Sequence, residues 1–327
     1  MIKVGIVGTG MISELFAEGA KFVEGMEVVA IQSRDEMKAK EFAKKHKVEL
    51  TFTDYEGMLK DVRIDAVYIG LPNSLHFEYA CKALSAKKIT ILEKPFLSNL
   101  KELDALIDIS EETRTMVFEM NRVLCLPNTH VIRDHLEDIA PVRMITMNFS
   151  QYSRKYNDLL AGKTPNVFSD EFSGGALVDL GVYGVHLMVD LFGMPNNITY
   201  IASQLPNSID ISGNLTLTYD GFLASLVQSK NSRCDNRITI QGEKGTIYAS
   251  PTASRIDTVI LDVGEKKDIT VTHEYESMTY TLKEIVRVIN EKDEETYRKQ
   301  LKQIRNVLEV LCAARQSAGI KFTADQK

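Results

Sequence analysis

The chain has no tryptophan and only four cysteines among its 327 residues. Cys81, Cys125, Cys234 and Cys312 lie far apart, and none forms a C-x-x-C pair. That spacing argues against a zinc knuckle, a redox motif and a disulfide framework, and fits free thiols in a reducing compartment. The six histidines include no H-E-x-x-H. His130 and His135 are five apart, which places them on different faces of a helix, so no metal site is expected. No run of about 18 uncharged apolar residues occurs. The most apolar stretch, 176–194, is interrupted by Asp179, His186 and Asp190. Lys/Arg runs are also missing, and the net charge is -6 with a pI of 5.7. Neither nucleic acid nor an anionic membrane surface is therefore an expected partner. The opening MIKVGIVGTG lacks the basic segment and long apolar stretch of a signal peptide, so a soluble cytoplasmic protein is expected.

What is present is ordinary globular composition, 44% hydrophobic and 26% charged, in a length that favours two domains. The N-terminal third alternates strand and helix. Ile2–Val7, 27–32, 65–71, 88–92 and 115–120 read as strands. Between them, apolar residues recur at helical spacing: Ile12, Leu15, Phe16 and Val23, then Phe77, Ala80, Cys81 and Leu84. The pairs Ser33/Glu36, Thr53/Glu56 and Asn99/Glu102 read as helix-capping signals. Such alternation implies parallel strands joined by right-handed crossovers, a doubly wound sheet. Ligands of these sheets sit beyond the carboxyl ends of the strands. Here those ends are Gly8–Gly10, Ser33–Arg34, Leu71–Pro72–Asn73, Glu93–Lys94–Pro95 and Asn121. From residue 122 the rhythm changes. Val142–Tyr152 is a long strand, and Asp220–Gly221 joins two alternating runs as a hairpin. Residues 237–241 and 246–249 form another hairpin through GEKG. Residues 256–261 and 268–271 add strands, and helices over 280–289 and 294–317 end the chain. The division expected is 1–121, a dinucleotide-binding Rossmann domain, and 122–327, an α+β domain with a large, open, mainly antiparallel sheet. Segment 153–175 reads as a polar loop over a cleft between the two.

Gly8-Thr9-Gly10-Met11-Ile12-Ser13 is a G-x-G-x-x-S sequence between a strand and a helix. Gly8 suits the tight turn, Gly10 allows backbone to approach a pyrophosphate, and the helix start supplies amide donors. Ser13 stands where a third Gly or Ala is usual. After the second strand comes Ser33-Arg34-Asp35. An acid at the first polar position would bind the ribose 2′-hydroxyl of NAD, whereas a nearby Arg would take the 2′-phosphate of NADP. The order Ser-Arg favours NADP; Asp35 keeps NAD open. Lys94, at the end of the strand over 88–92, can hold a substrate hydroxyl, and a cis Pro95 would aim it. In GGALVDLGVYGVHLMVD, residues Asp179, Tyr183, His186 and Asp190 fall on one face if the segment is helical. Four polar groups on an apolar helix call for partners or a cavity.

GIVGTGMIS, YIGLPNSLHFEYACKAL, ILEKP and GGALVDLGVYGVH, in that order and across nearly the whole chain, resemble the glucose–fructose oxidoreductase / inositol dehydrogenase / MocA family. The resemblance implies an oxidoreductase with NADP or NAD bound at Gly8, Thr9, Gly10, Met11, Ile12, Ser33, Arg34, Leu71, Pro72, Asn73, His76, Glu93, Lys94 and Asn121. It places the family's E-K-P lysine on Lys94, its acid/base on Tyr183 and the preceding acid on Asp179, where Asp179 would orient Lys94 or the substrate. Tyr rather than His at 183 resembles the dihydrodiol dehydrogenase-like, NADP-using branch. His186 stands where inositol dehydrogenases often carry Asp, which argues against inositol. Leu124 replaces an Arg frequent in relatives. The implied substrate is a secondary alcohol or ketone of a sugar, polyol or diol, with Arg154, Lys155, Tyr156 and His186 as candidate substrate contacts. Lys94 would ease deprotonation of Tyr183. A homodimer or tetramer is implied as well. The rival readings are a nucleotide-sensing regulator and an enzyme that retains and recycles its cofactor, as in redox-assisted glycoside cleavage.

Overall fold

The computed structural model describes residues 1–326. These form two compact units that are not continuous in sequence. The first comprises Met1–Asn121 and Met278–Ile304; the second comprises Arg122–Ser277 and the residues from Arg305 onward. The segment Met278–Ile304 thus returns to the first unit, a re-entry that a simple division into 1–121 and 122–327 does not contain.

The first unit carries six strands: β1 (Ile2–Val7), β2 (Met26–Gln32), β3 (Leu50–Phe52), β4 (Ala66–Ile69), β5 (Ile89–Glu93) and β6 (Val117–Met120). Their order is β3-β2-β1-β4-β5-β6, and every pairing is parallel. This is the doubly wound arrangement expected, with the switch point between β1 and β4. The crossover helices are α1 (Met11–Ala20), α2 (Glu36–His46), α3 (Tyr55–Lys60), α4 (His76–Ser85) and α5 (Leu100–Thr113). The β strands are apolar on both faces, as a covered parallel sheet requires: Val4, Ile6, Tyr68 and Ile91 on one face and Val7, Val67, Ile69 and Leu92 on the other are all fully buried. Met278, Leu282, Ile285 and Tyr297 complete this core.

Two caps differ from the sequence reading. Asp35, not Ser33, caps α2, accepting from the amides of Met37 and Lys38 at 3.0 and 3.2 Å. Asp54, not Thr53, caps α3 through the amides of Glu56 and Gly57. In both places a carboxylate sits one or two residues nearer the helix, and a charged oxygen is the stronger acceptor at a helix start. Asn99 caps α5 as expected, accepting from Glu102 N at 2.9 Å.

The second unit holds an eight-stranded sheet of order β14-β13-β12-β11-β7-β10-β9-β8. The strands are β7 (Val142–Ser150), β8 (Asn197–Gln204), β9 (Asp210–Tyr219), β10 (Phe222–Ser229), β11 (Ile238–Gly242), β12 (Thr246–Thr252), β13 (Arg255–Asp262) and β14 (Lys266–Asp268). All neighbours are antiparallel except β7 and β10. Tyr219 and Phe222 flank the Asp220–Gly221 turn as a cross-strand pair, their rings stacked at 4.6 Å. One face of the sheet buries Ile145, Met147, Ala224 and Leu226. This unit also contains α6 (Pro127–Asp134), α7 (Leu136–Ile139), α8 (Arg154–Leu160) and α9 (Val182–Phe192). Helix α8 corrects the reading of 153–175 as loop throughout. Ser153 starts it by accepting from Lys155 N, and the apolar face that would have signalled a helix is too short to see. The last two helices are α10 (Ser277–Glu291) and α11 (Glu294–Ser317).

Candidate active site

The site residues fall into two sets, one in each unit. In the first unit, Gly8, Ser33, Leu71, Lys94 and Asn121 follow strands β1, β2, β4, β5 and β6, so these residues share the carboxyl edge of one sheet. Gly8 has φ +98°, and a Cβ there would lie 3.1 Å from the Gly70 carbonyl and 3.2 Å from a Leu71 methyl. Both the conformation and the space demand glycine. Gly10 is different. It caps α1 with φ -75°, and a Cβ built on it meets nothing within 4 Å. The space over the helix start is open, and no side chain caps the first amides, which include those of Met11 and Ile12. Open space at an uncapped helix N-terminus is what a diphosphate needs. Ser13 is fully buried. Its hydroxyl occupies the place a Gly70 side chain would need, 2.8 Å from that hypothetical Cβ. The small third residue thus serves close packing of α1 on β4.

Beside the glycine turn lies an open pocket of about 510 Å³, lined by Gly8, Thr9, Ser33, Arg34, Asp35 and Lys38 among others. Arg34 and Lys38 are exposed, and Asp35 faces the amides of α2. Lys38 was not singled out in the sequence. The signal was available, since it stands one helical turn after Asp35 on the helix that follows the specificity position.

Lys94 is half-buried, and its peptide bond to Pro95 is cis, as anticipated. Glu93 is buried and accepts from the Tyr68 hydroxyl at 2.9 Å. Phe16 of α1 stacks on Tyr68 at 3.9 Å, so the strand end carrying Lys94 is braced through the core. His76, expected as a cofactor contact, lies inside the unit. It is fully buried, with Nδ1 3.1 Å from the Pro95 carbonyl and 3.2 Å from that of Phe96, and Nε2 2.9 Å from the Leu71 carbonyl. Burial pulls its pKa below the ordinary histidine value, against the carbonyls, which pull the other way. The ring ties together the loops after β4 and β5. The Asn121 carbonyl accepts from Thr281 at 2.6 Å, fixing the loop after β6.

In the second unit, Leu177–Gly181 is a single π-helical turn leading into α9. Widened turns of this kind are common at functional sites. Its start is held by Asp210, a buried carboxylate on β9 that accepts from Leu177 N and from the Tyr200 hydroxyl, both at 2.6 Å. Burial raises the Asp210 pKa, while the Tyr200 and Leu177 hydrogen bonds oppose that rise. Gly175 precedes the turn at φ +132°, and a Cβ there would lie 2.1 Å from Asp210 Oδ1. Within the turn, Asp179 is ion-paired with Lys230, whose side chain is buried. Tyr183 sits on α9 and accepts a hydrogen bond from the Arg122 guanidinium. The Arg122 carbon also lies 5.3 Å from the Tyr183 ring centroid. A guanidinium only donates, so the Tyr183 oxygen is the acceptor and its own proton is not spent on Arg122. Arg122 and Lys230 were missed in the sequence, because both are distant from Tyr183 and Asp179 along the chain.

The four-residue face divides. Asp190 pairs with Arg133 at 2.5 Å, and His186 is buried at 1% exposure. Arg154 and Lys155 are exposed on α8, with Lys155 3.5 Å from Asp158. Tyr156 packs edge-on against Tyr152 and Phe168. Among the described residues, no helix is long and apolar enough to cross a membrane.

A family model described as "Oxidoreductase family, NAD-binding Rossmann fold" matches residues 2–120, and one described as "GFO/IDH/MocA C-terminal domain" matches residues 136–248. The chain is 34% identical to scyllo-inositol 2-dehydrogenase (NADP(+)) IolU of Bacillus subtilis (strain 168), over 100% of both chains. It is 26% identical to trans-1,2-dihydrobenzene-1,2-diol dehydrogenase of Sus scrofa, covering 75% of this chain and 72% of that one. Among solved structures it is similar to KijD10, a 3-ketoreductase from Actinomadura kijaniata in complex with NADP and TDP-benzene. The TM-score is 0.86 at 20% identity, over 97% of each chain.

Proposed function

Because the chain belongs to the GFO/IDH/MocA oxidoreductase family, we propose that it is an NADP-dependent dehydrogenase that interconverts a secondary alcohol and a ketone of a polyol or sugar. One observation carries the cofactor choice: the Asp35 carboxylate is engaged by two amides of α2, while Arg34 and Lys38 line the pocket beside Gly8 and Thr9. An acid committed to a helix start is a poor ligand for a ribose diol, whereas two cations beside Ser33 suit a 2′-phosphate. The open space over Gly10 and the uncapped first turn of α1 suit the diphosphate.

The bound nicotinamide supplies the hydride acceptor or donor. The chain's own residues handle the substrate and its proton. Tyr183 removes the proton from the substrate hydroxyl in oxidation and returns it in reduction. Arg122 fixes the Tyr183 oxygen from one side by donating to it, which orients the phenol. Lys94 holds the reacting oxygen. Asp179 works through Lys230, whose ammonium it binds, and so keeps the π-helical turn and the following Tyr183 in place. The relative that shares 34% identity across the whole chain is named for scyllo-inositol, and that similarity outweighs the single-position argument from His186. A cyclic polyol is therefore the first substrate class to assay. An oligomer built on the outer face of the second unit's sheet completes the reading. Met144, Leu223, Val227 and Ile201 stand exposed on that face, in register across β7, β10 and β8.

The cofactor reading is tested by titrating the protein with NADPH and NADH, following nicotinamide fluorescence. At least tenfold tighter NADPH binding, about 1.4 kcal/mol, supports it; equal or tighter NADH binding overturns it.

A further inference from the structure

The first unit has a second hollow, of about 690 Å³, at the opposite edge of the sheet from the nucleotide pocket. Ile89, the first residue of β5, and Met116, just before β6, lie on its floor, whereas Glu93 and Asn121 end the same segments at the carboxyl edge. Ile289 and Leu301 continue the floor; all four are half-buried at the margin of the core.

Four cations surround this apolar floor: Lys87, Arg114, Lys292 and Arg298. All four are exposed, and the ion pairs found among the described residues involve none of them. Two carboxylates, Glu111 and Glu294, share the lining, which leaves an excess of positive charge on a chain whose net charge is -6. Three of the cations also occupy unusual backbone. Lys87, Arg114 and Lys292 have φ of 57°, 52° and 53°. Glycine takes that left-handed conformation at no steric cost and is the common choice after a helix. Long basic residues stand there instead, and all three line the same hollow.

We propose that this hollow is a binding site for a small amphipathic anion, a molecule with an aromatic or branched alkyl body and one phosphate or carboxylate group. The body lies on Ile89, Met116, Ile289 and Leu301. The anionic group meets Arg114 and Lys292, with Lys87 and Arg298 beside them. The site is separate from the catalytic reading, since it shares no residue with the strand ends that hold the nucleotide.

The left-handed positions supply the test, because Arg114→Gly and Lys292→Gly remove charge while placing glycine where the backbone favours it. Phenyl phosphate is titrated calorimetrically into the full chain, with and without NADPH, alongside benzyl alcohol and inorganic phosphate. The expected result is saturable binding of phenyl phosphate that NADPH leaves unchanged and that exceeds the binding of either fragment. The double glycine variant binds it at least tenfold more weakly. Arg298→Gln, on an exposed helical turn, weakens binding by itself. Lys47→Gly, a left-handed lysine outside the hollow, leaves it unchanged. Unaltered binding in the double variant, displacement by NADPH, or benzyl alcohol binding as tightly as phenyl phosphate would overturn the proposal.

Discussion

At the scale of single residues, the proposed cofactor choice and proton transfer rest on a few side chains whose partners differ from what spacing suggests. Ser33 looked like the helix cap and Arg34 like the phosphate ligand. In the structure Asp35 is the cap, which removes the acid most able to serve NAD and leaves Arg34 and Lys38 beside the pocket. Arg34→Ala should therefore weaken NADPH binding about tenfold, ~1.4 kcal/mol, and leave NADH binding within twofold. Fluorescence titration reads both, and equal losses for the two cofactors would remove Arg34 from phosphate recognition. Tyr183→Phe should abolish turnover while NADPH affinity stays as it was. Arg122→Met keeps the phenol but loses its fixed acceptor bond, so kcat should fall by at least tenfold with little change in NADPH affinity. A normal kcat in Arg122→Met would mean that Tyr183 is positioned by other contacts.

At the scale of elements, the strand ends were legible because glycines, prolines and the Glu-Lys-Pro triplet punctuate a strictly alternating pattern. The π-helical turn was not, because its cause lies on another strand. Asp210 reaches it from β9, and Gly175 is required both by its φ of +132° and by the Asp210 carboxylate beside it. Gly175→Ala should cost about 2 kcal/mol or more in urea unfolding, from a disfavoured φ together with the displaced carboxylate. His76 makes a prediction with a definite sign. Its folded pKa is depressed by burial, so the stability tied to its neutral form is present above the ordinary histidine value of about 6.5 and is lost as pH falls through the lower folded value. His76→Gln should be less stable than the parent at pH 8, since the ties to the Leu71, Pro95 and Phe96 carbonyls are altered. The gap between the two should narrow as the solution is acidified. A gap that stays constant from pH 8 to pH 5 would contradict the assignment of a buried neutral ring.

At the scale of the whole molecule, fold class was readable from rhythm alone, but the return of Met278–Ile304 to the first unit was not. Helical periodicity tells that a segment has an apolar face and says nothing of which core receives it; here Met278, Leu282 and Ile285 complete the nucleotide-binding unit. The exposed residues Leu223 and Val227 on the outer sheet face predict self-association, so light scattering should give a multiple of the 36.7 kDa chain mass. Leu223→Glu with Val227→Glu should return the monomer with NADPH binding retained. A monomeric parent protein would exclude association through this face. On the proposed function, this chain oxidises a secondary alcohol with NADP through Tyr183. This function is tested most directly by following nicotinamide absorbance with NADP⁺ and a panel of cyclic polyols, scyllo-inositol first, for the parent and Tyr183→Phe. Reduction of NADP⁺ by at least one polyol is expected in the parent and none in the variant. Reduction that persists in Tyr183→Phe would contradict this function.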